Sequence, residues 1–301
     1  MTTALFTETA EKEQQLKEQG KHRLNVSGVL KKLGVSRSGY LNWKNRTPSQ
    51  RQKRKESLKK IILEIYHDSY QNYGAPKITA CLRREGVTIS EKTVGNYMRE
   101  MCIKAQYFRP CVITTMDSSF NNTLKNVLNK EFNPETPDAV WCSDITYIWT
   151  YDGFVYLTSI MDLYSRKIIS WVLSDTLEAK WVIEAVNKTK QVRGNKKPRI
   201  IHTDRGVQYV CTDYINATEG ITLSYSKKAF PWDNACIKSF HALLKREWIN
   251  RYKIIDYDHA YRLVFQYIET FYNTVRIHSR CGYTSPNDYE KEYERSTFVC
   301  A

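Results

Sequence analysis

Between Ala139 and Asp175 three runs rich in β-branched and aromatic residues follow one another: AVWCSDITYIWT, FVYLTSIMD and KIISWVLSD. Only Asp152-Gly153 and the stretch from Leu163 to Arg166 turn the chain between them. Runs of this composition, separated by turns this short, predict an antiparallel meander. The period then changes. A helix is predicted from Glu178 to about Val192, then a fourth strand, RIIHTD, then a further helix around Tyr209 to Thr218. A meander continued by alternating helices and strands makes a mixed α/β sheet, not a uniform doubly wound one.

Two acids occupy special places in this pattern. Asp144 lies in the middle of an otherwise apolar and aromatic strand, and Asp204 ends a short strand at a turn. A carboxylate inside a strand is costly if buried unpaired, so Asp144 requires a partner. For a single Asp the ordinary partner is an Arg, or solvent at a sheet edge. Two such acids on neighbouring strands, within bridging distance of one cation, would make a hard-cation site for Mg2+ or Mn2+ suited to phosphoryl transfer. Asp162, in I-M-D-L-Y-S-R, is expected to be a turn-forming partner for Ser165 or Arg166.

Upstream of the strands the chain is strongly basic. Residues 21–60 hold 13 Lys and Arg against one acid, Glu56, and so supply most of the formal charge of +14. Such a block meets nucleic-acid phosphate or is a solvated basic arm. The local pattern favours the first. Val26, Val29, Leu30 and Leu33 fall at helical spacing, Gly34 breaks the helix, and Ser36 is placed to cap a second one carrying Arg37, Lys44 and Arg46 beside Tyr40 and Trp43. Helix, glycine turn, helix is the helix-turn-helix pattern, with at least one of the two aromatics expected in its core. After Thr47-Pro48-Ser49 one long helix is predicted, bearing Lys53 and Arg54 outside and Leu58, Ile61, Ile62, Ile65 and Tyr66 inside. A second helix pair follows, turning at Gly86 and capped at Ser90, with Lys92 on its polar face. Residues 1–20 read as a polar lead-in, 21–105 as the DNA-binding region, 106–136 as a linker, 137–250 as the sheet domain and 251–301 as a C-terminal helical extension.

The composition removes other classes. No apolar run approaches the roughly 18 residues needed to span a bilayer, and 42% hydrophobic with 13% aromatic residues is not a disordered chain. The eight cysteines form no C-x2-C pair, and the first residues lack a basic segment followed by an apolar one, so reduced thiols in a cytoplasmic, nucleoid-associated protein are expected.

Five segments carry a resemblance: W-C-S-D-I-T-Y around Asp144, H-T-D-R-G-V-Q-Y around Asp204, D-N-A at Asp233 to Ala235, S-F-H-A-L-L-K-R-E from Ser239, and F-Y-N-x-x-R-x-H-S-x-x-G-Y-x-S-P from Phe271. In this order they resemble the transposases of the insertion sequence 3 family, in the product of their second reading frame. LGVSRSGYLNW and YGAPKITACLRREGVTISEKTVGNYMRE are similar to that family's helix-turn-helix segments. The resemblance implies an RNase H-like integrase core, a five-stranded mixed sheet with helices, preceded by an all-α helix-turn-helix region. It further implies two Mg2+ or Mn2+ ions held by two Asp and one Glu, action on double-stranded DNA at transposon ends and target, a homo-oligomer on DNA, and a partnership or fusion with the upstream-frame product. Arg276 and His278 are expected on or after a C-terminal helix that packs on the sheet domain, holding DNA or the sheet edge, with a structural and a phosphate-binding role both open for Arg276.

One position departs from the family. The third acid should stand three residues after D-N-A, and Lys238 stands there. Glu247 is nine residues further on, about 900° of helical rotation away and on the opposite face. Asp233 is expected to cap the helix. An ammonium among the metal ligands repels the ions it should help to hold and weakens the site. Three readings follow: a strand-cutting and strand-joining transposase, a DNA-binding relative without catalysis that acts as repressor or architectural protein, and, last, a general RNase H-like nuclease.

Overall fold

In the computed structural model, residues 2–19, 24–106, 124–227 and 230–299 are described. Cys111, Cys300, the Asn121-Asn122 pair and Pro110 of the expected linker, and the first three residues of the basic block lie outside them. The described chain forms two compact units, residues 1–61 and 62–301.

The first unit contains α1 (Thr2–Glu18), α2 (Val26–Lys32), α3 (Arg37–Lys44) and the start of α4 (Gln50–Asp68). The polar lead-in, open between a loose helix and an unstructured segment in the sequence, is a helix. Its Phe6 is buried against Leu30 and Tyr40, with Trp43 packed on the same cluster, so both aromatics of α3 serve the small core. Gly34 takes φ +68° between α2 and α3, and the Ser36 hydroxyl accepts the Gly39 N–H at the start of α3. This is the left-handed turn and N-cap that the sequence called for.

The second unit takes in the end of α4, the pair α5 (Ala75–Arg84) and α6 (Glu91–Glu100), and the sheet domain with its C-terminal helices. Gly86, at φ +82°, and Ser90, accepting the Thr93 N–H, repeat the turn and cap of the first pair. Packing thus divides the chain inside α4, and the second helix pair belongs with the sheet. Tyr73, just ahead of α5, accepts the Ile277 N–H (2.9 Å) and donates to the Val275 carbonyl (3.3 Å), and Arg84 donates to the Tyr283 carbonyl.

The sheet has five strands in the order β3-β2-β1-β4-β5: β1 (Val140–Thr150), β2 (Gly153–Asp162), β3 (Ile168–Ser174), β4 (Ile200–Thr203) and β5 (Thr222–Tyr225). The first three form the antiparallel meander, whereas β4 and β5 join parallel, which makes the sheet mixed. Residues 139–175 and RIIHTD therefore behave as their composition predicted. Of the five strands, β5 has no clear signal in the sequence, being four residues with one neighbour. One face is covered by α7 (Ala179–Val192), α8 (Val207–Val210) and α9 (Thr212–Ala217), with Trp141, Ile160, Val182, Ala185, Ile201 and Tyr214 among the core residues. A single helix was expected where α8 and α9 break at Cys211. The other face is covered by α10 (Ala235–Glu247), which buries Ile237, Phe240 and Leu244. Beyond it lie α11 (Tyr257–Phe265), a π-helical turn at residues 266–272 and α12 (Pro286–Val299). Asn273 clamps the outer strand, its side chain accepting the Ile168 N–H and donating to the Ile168 carbonyl, both at 3.0 Å.

Candidate active site

Strand register brings the two acids together. β1 and β4 run parallel with Val140 opposite Ile200 and Cys142 opposite His202. The paired segments lead toward Asp144 on β1 and toward Asp204 just past the end of β4, and each carboxylate feels the Lys238 charge. Asp144 is held in mid-strand and is 4% exposed, while Asp204 stands where β4 ends, its Oδ1 accepting the Gly206 N–H at 2.9 Å.

α10 crosses this pair. Its start is tied down by Asn234, whose amide donates to the Ser143 carbonyl at 3.1 Å. From there Lys238 extends its ammonium to Asp144, with Nζ 3.2 Å from Oδ2. One turn on, His241 places Nδ1 3.6 Å from the same oxygen, while its Nε2 meets the Ser159 hydroxyl at 3.3 Å. Burial pushes the Asp144 carboxyl up, but the His241 imidazole and the Lys238 ammonium outweigh it and hold the group below its ordinary value. Asp204 goes the other way, raised by burial and by the charge of Asp144, with the Gly206 N–H and Lys238 drawing it partly back. His241 is held neutral mainly by burial, which outweighs the pull of Asp144. Its signal in the sequence was a spacing: three residues after Lys238 is the same helical face.

The donor set at this place is two carboxylates, one ammonium and one imidazole already engaged with Asp144. Among the described residues no group of three or more His, Cys, Asp or Glu side chains is placed to hold a metal ion. Two divalent ions need more oxygen donors than this and no cation among them, so the residues present do not fit a two-metal centre. Glu247 offers no rescue. It is buried on the far side of α10, where Arg276 donates to it from Nε and Nη2 at 2.7 Å each and the Tyr267 hydroxyl adds a third bond at 2.8 Å.

That pairing gives Arg276 the structural role of the two left open, and takes His278 away from DNA and the sheet edge. Arg276 is buried, and His278 Nε2 accepts from its Nη1 at 3.0 Å. Burial, then the Arg276 charge, pushes the His278 imidazole down to about 3, so it is neutral and offers no cation to a phosphate. Both residues brace α10, and the sheet edge is held by Asn273 instead. Asp233 is also corrected. The N-cap position of α10 belongs to Asn234, while Asp233 accepts from the Lys227 N–H (2.9 Å) and the Asn126 amide (2.8 Å) in the preceding turn. Asp162 pairs with Arg166 across the turn as expected, its carbonyl accepting the Arg166 N–H at 2.9 Å, while its carboxylate accepts the backbone N–H groups of Tyr164 and Asp138, both at 2.8 Å, and lies 3.4 Å from Arg193.

The remaining basic residues stand on surfaces. Arg37, Arg46, Lys53, Arg54 and Lys92 are all exposed. Lys44 is exposed too, but its ammonium is 2.5 Å from Glu13 of α1, a contact that charge counting could not foresee.

Three stretches of the chain match known families: residues 134–231 and 219–286 match integrase core domain models, and residues 53–110 an HTH-like domain. The transposase for insertion sequence element IS904 of Lactococcus lactis is 36% identical over 252 residues, covering 82% of this chain and 98% of that protein. Transposase InsF for insertion sequence IS3A of Escherichia coli K12 is 33% identical over 272 residues, covering 89% and 94%. Among solved structures, the HTLV-2 integrase catalytic core domain covers 52% of this chain and 98% of its own at 15% identity, with a TM-score of 0.41.

Proposed function

The chain belongs to the insertion sequence 3 family of transposases, and from that premise we propose that it recognises transposon ends through its helix-turn-helix pairs and presents to them an acid pair closed by Lys238. DNA transposition is the work of the family. The finer reading concerns what this chain contributes to it, and one observation carries that reading: the Lys238 ammonium lies 3.2 Å from Asp144.

An ammonium at that distance does for Asp144 what a metal ion would otherwise do, neutralising its charge and satisfying its oxygen. It also repels any divalent ion brought to Asp204. The chain as it stands is thus an end-binding protein with a weak or vacant cation site and little or no strand cleavage or transfer. The second reading, a repressor or architectural protein that occupies transposon ends without cutting them, is favoured by the same ion pair. A homo-oligomer on paired ends, association with the upstream-frame product, and residence at the nucleoid belong to the proposal. Sedimentation of the chain with and without DNA reads the first.

The test compares this chain with Lys238→Glu, which supplies a third carboxylate at the same place. Calorimetric titration with Mg2+ and Mn2+ should show weak binding to the first protein and a clear gain in the second, and a strand-cleavage assay should follow the same order. Tight two-site binding by the unmodified chain, or cleavage that Lys238→Glu leaves unimproved, would mean that another acid completes the site.

A further inference from the structure

The two helix pairs repeat one another beyond their turns and caps. Counted from the capping serine, Ser36 or Ser90, the fourth residue of the second helix is Tyr40 in α3 and Val94 in α6, and both are buried. The sixth is asparagine in both, Asn42 and Asn96, and both are exposed. Two residues are about 200° of helical rotation, so each asparagine stands on the side of its helix away from the core of its own pair. In α6 it has Lys92 four residues before it and Arg99 three after, both exposed on that same side.

Nothing in the folding of the two helices calls for asparagine at these places. It is a poor helix former, because its side chain competes for backbone groups. At an exposed site inside a helix Ala, Lys or Glu would stabilise more. No hydrogen bond or ion pair among the described residues engages the Asn42 side chain. Asn96 meets only Arg99, whose Nη2 donates to its Oδ1 at 2.6 Å. That bond uses one lone pair of Oδ1 and leaves the other, and the Nδ2 donors, without a partner among the described residues.

We propose that Asn42 and Asn96 are the base-reading residues of the two helix pairs, each recognising adenine through the major groove of duplex DNA. The proposal rests on the reading of both pairs as the part of the chain that recognises transposon ends. Charge brings the duplex to this region, since residues 21–60 hold 13 Lys and Arg against Glu56 alone. Exposed cations such as Arg37, Lys53 and Lys92 serve phosphates of any sequence, so they position the duplex without reading it. An amide on the exposed side of the second helix supplies what they lack. Its oxygen accepts from adenine N6 while its nitrogen donates to N7, a pair of bonds that the other bases do not match in the major groove.

The experiment uses the full chain in EDTA, so that neither metal binding nor cleavage enters. A library of duplexes randomised over about two helical turns is selected on the unmodified chain, on Asn42→Ala and on Asn96→Ala, and sequenced. The duplex selected by the unmodified chain is then titrated by fluorescence anisotropy beside one of unrelated sequence. The unmodified chain should select adenine at two separate positions, with the preference lost at one in Asn42→Ala and at the other in Asn96→Ala. Each variant should bind the selected duplex roughly ten-fold more weakly and the unrelated duplex as before. Neither should lose melting temperature, because Ala is the better helix former. Asn96→Asp, equal in shape but only an acceptor, should lose the same adenine preference, whereas Lys53→Gln should weaken both duplexes alike. A selected sequence that neither alanine variant changes, or equal losses on the two duplexes, would overturn the inference while leaving end recognition by the helix pairs in place. No sequence preference in the unmodified chain would overturn that reading itself, and the inference with it.

Discussion

At the scale of the residue, the ion pairs sort the basic side chains into two kinds. Arg276 is the buried kind, a guanidinium forked onto Glu247 with a neutral His278 behind it. Removing one partner of a buried pair leaves an uncompensated charge, so Arg276→Ala should destabilise the protein by about 3–5 kcal/mol in urea unfolding. Glu247 sets the acid limb of the same pair. Burial pushes its carboxyl up, but the Arg276 bonds and charge outweigh that and hold it below 4.5. A carboxyl with a lowered folded value contributes stability that is fully present above its ordinary range and is lost as the pH falls through the folded one. The melting temperature should therefore drop as the pH is taken below about 4.5, and Glu247→Gln should flatten that limb. Lys44 is the exposed kind. Its Glu13 partner competes with phosphate for one ammonium, so Glu13→Gln in the full chain should tighten duplex binding a few-fold at low salt. A weaker complex in the anisotropy titration would show that Glu13 supports the shape of α3 instead.

At the scale of the element, both helix pairs depend on one left-handed glycine each. At Gly34 and Gly86, at φ +68° and +82°, no atom stands within 4 Å of where a Cβ would be built. The cost of a side chain there is conformational alone. Gly86→Ala should lose about 1–2 kcal/mol and Gly86→Asn less, since Asn tolerates that region. Chemical denaturation distinguishes them, and equal losses would point to a steric cause. The same economy explains α10. Its inward residues and the Asn234 bond to β1 set its rotation, and that rotation decides that position 238 faces Asp144 whether it holds a Lys or a Glu.

At the scale of the whole molecule, the charge is placed before it is used. Nearly all of the formal excess of +14 sits in residues 21–60, leaving the sheet domain close to neutral. Duplex binding by the full chain should therefore fall steeply with salt, by orders of magnitude between about 50 and 200 mM. Replacing exposed Lys53 by Gln should lower the slope of log affinity against log salt by about one. A slope near zero would remove phosphate contact from the account.

What the sequence by itself determined was whatever is local. The strand runs, the two glycine turns, the serine caps and the charge block follow from residue type and spacing within ten or so positions, and all took shape as that chemistry requires. That Lys238 stands three residues after D-N-A was likewise legible, since it needed only a count from Asp233. Whatever depended on two distant segments meeting was decided by the tertiary structure. Arg276 reads the same whether it faces phosphate or Glu247, and Lys44 the same with or without Glu13. His241 acquires a role only once α10 lies across β1. A side chain's chemistry is written at its own position, but its partner is set by the packing of elements far away in the chain.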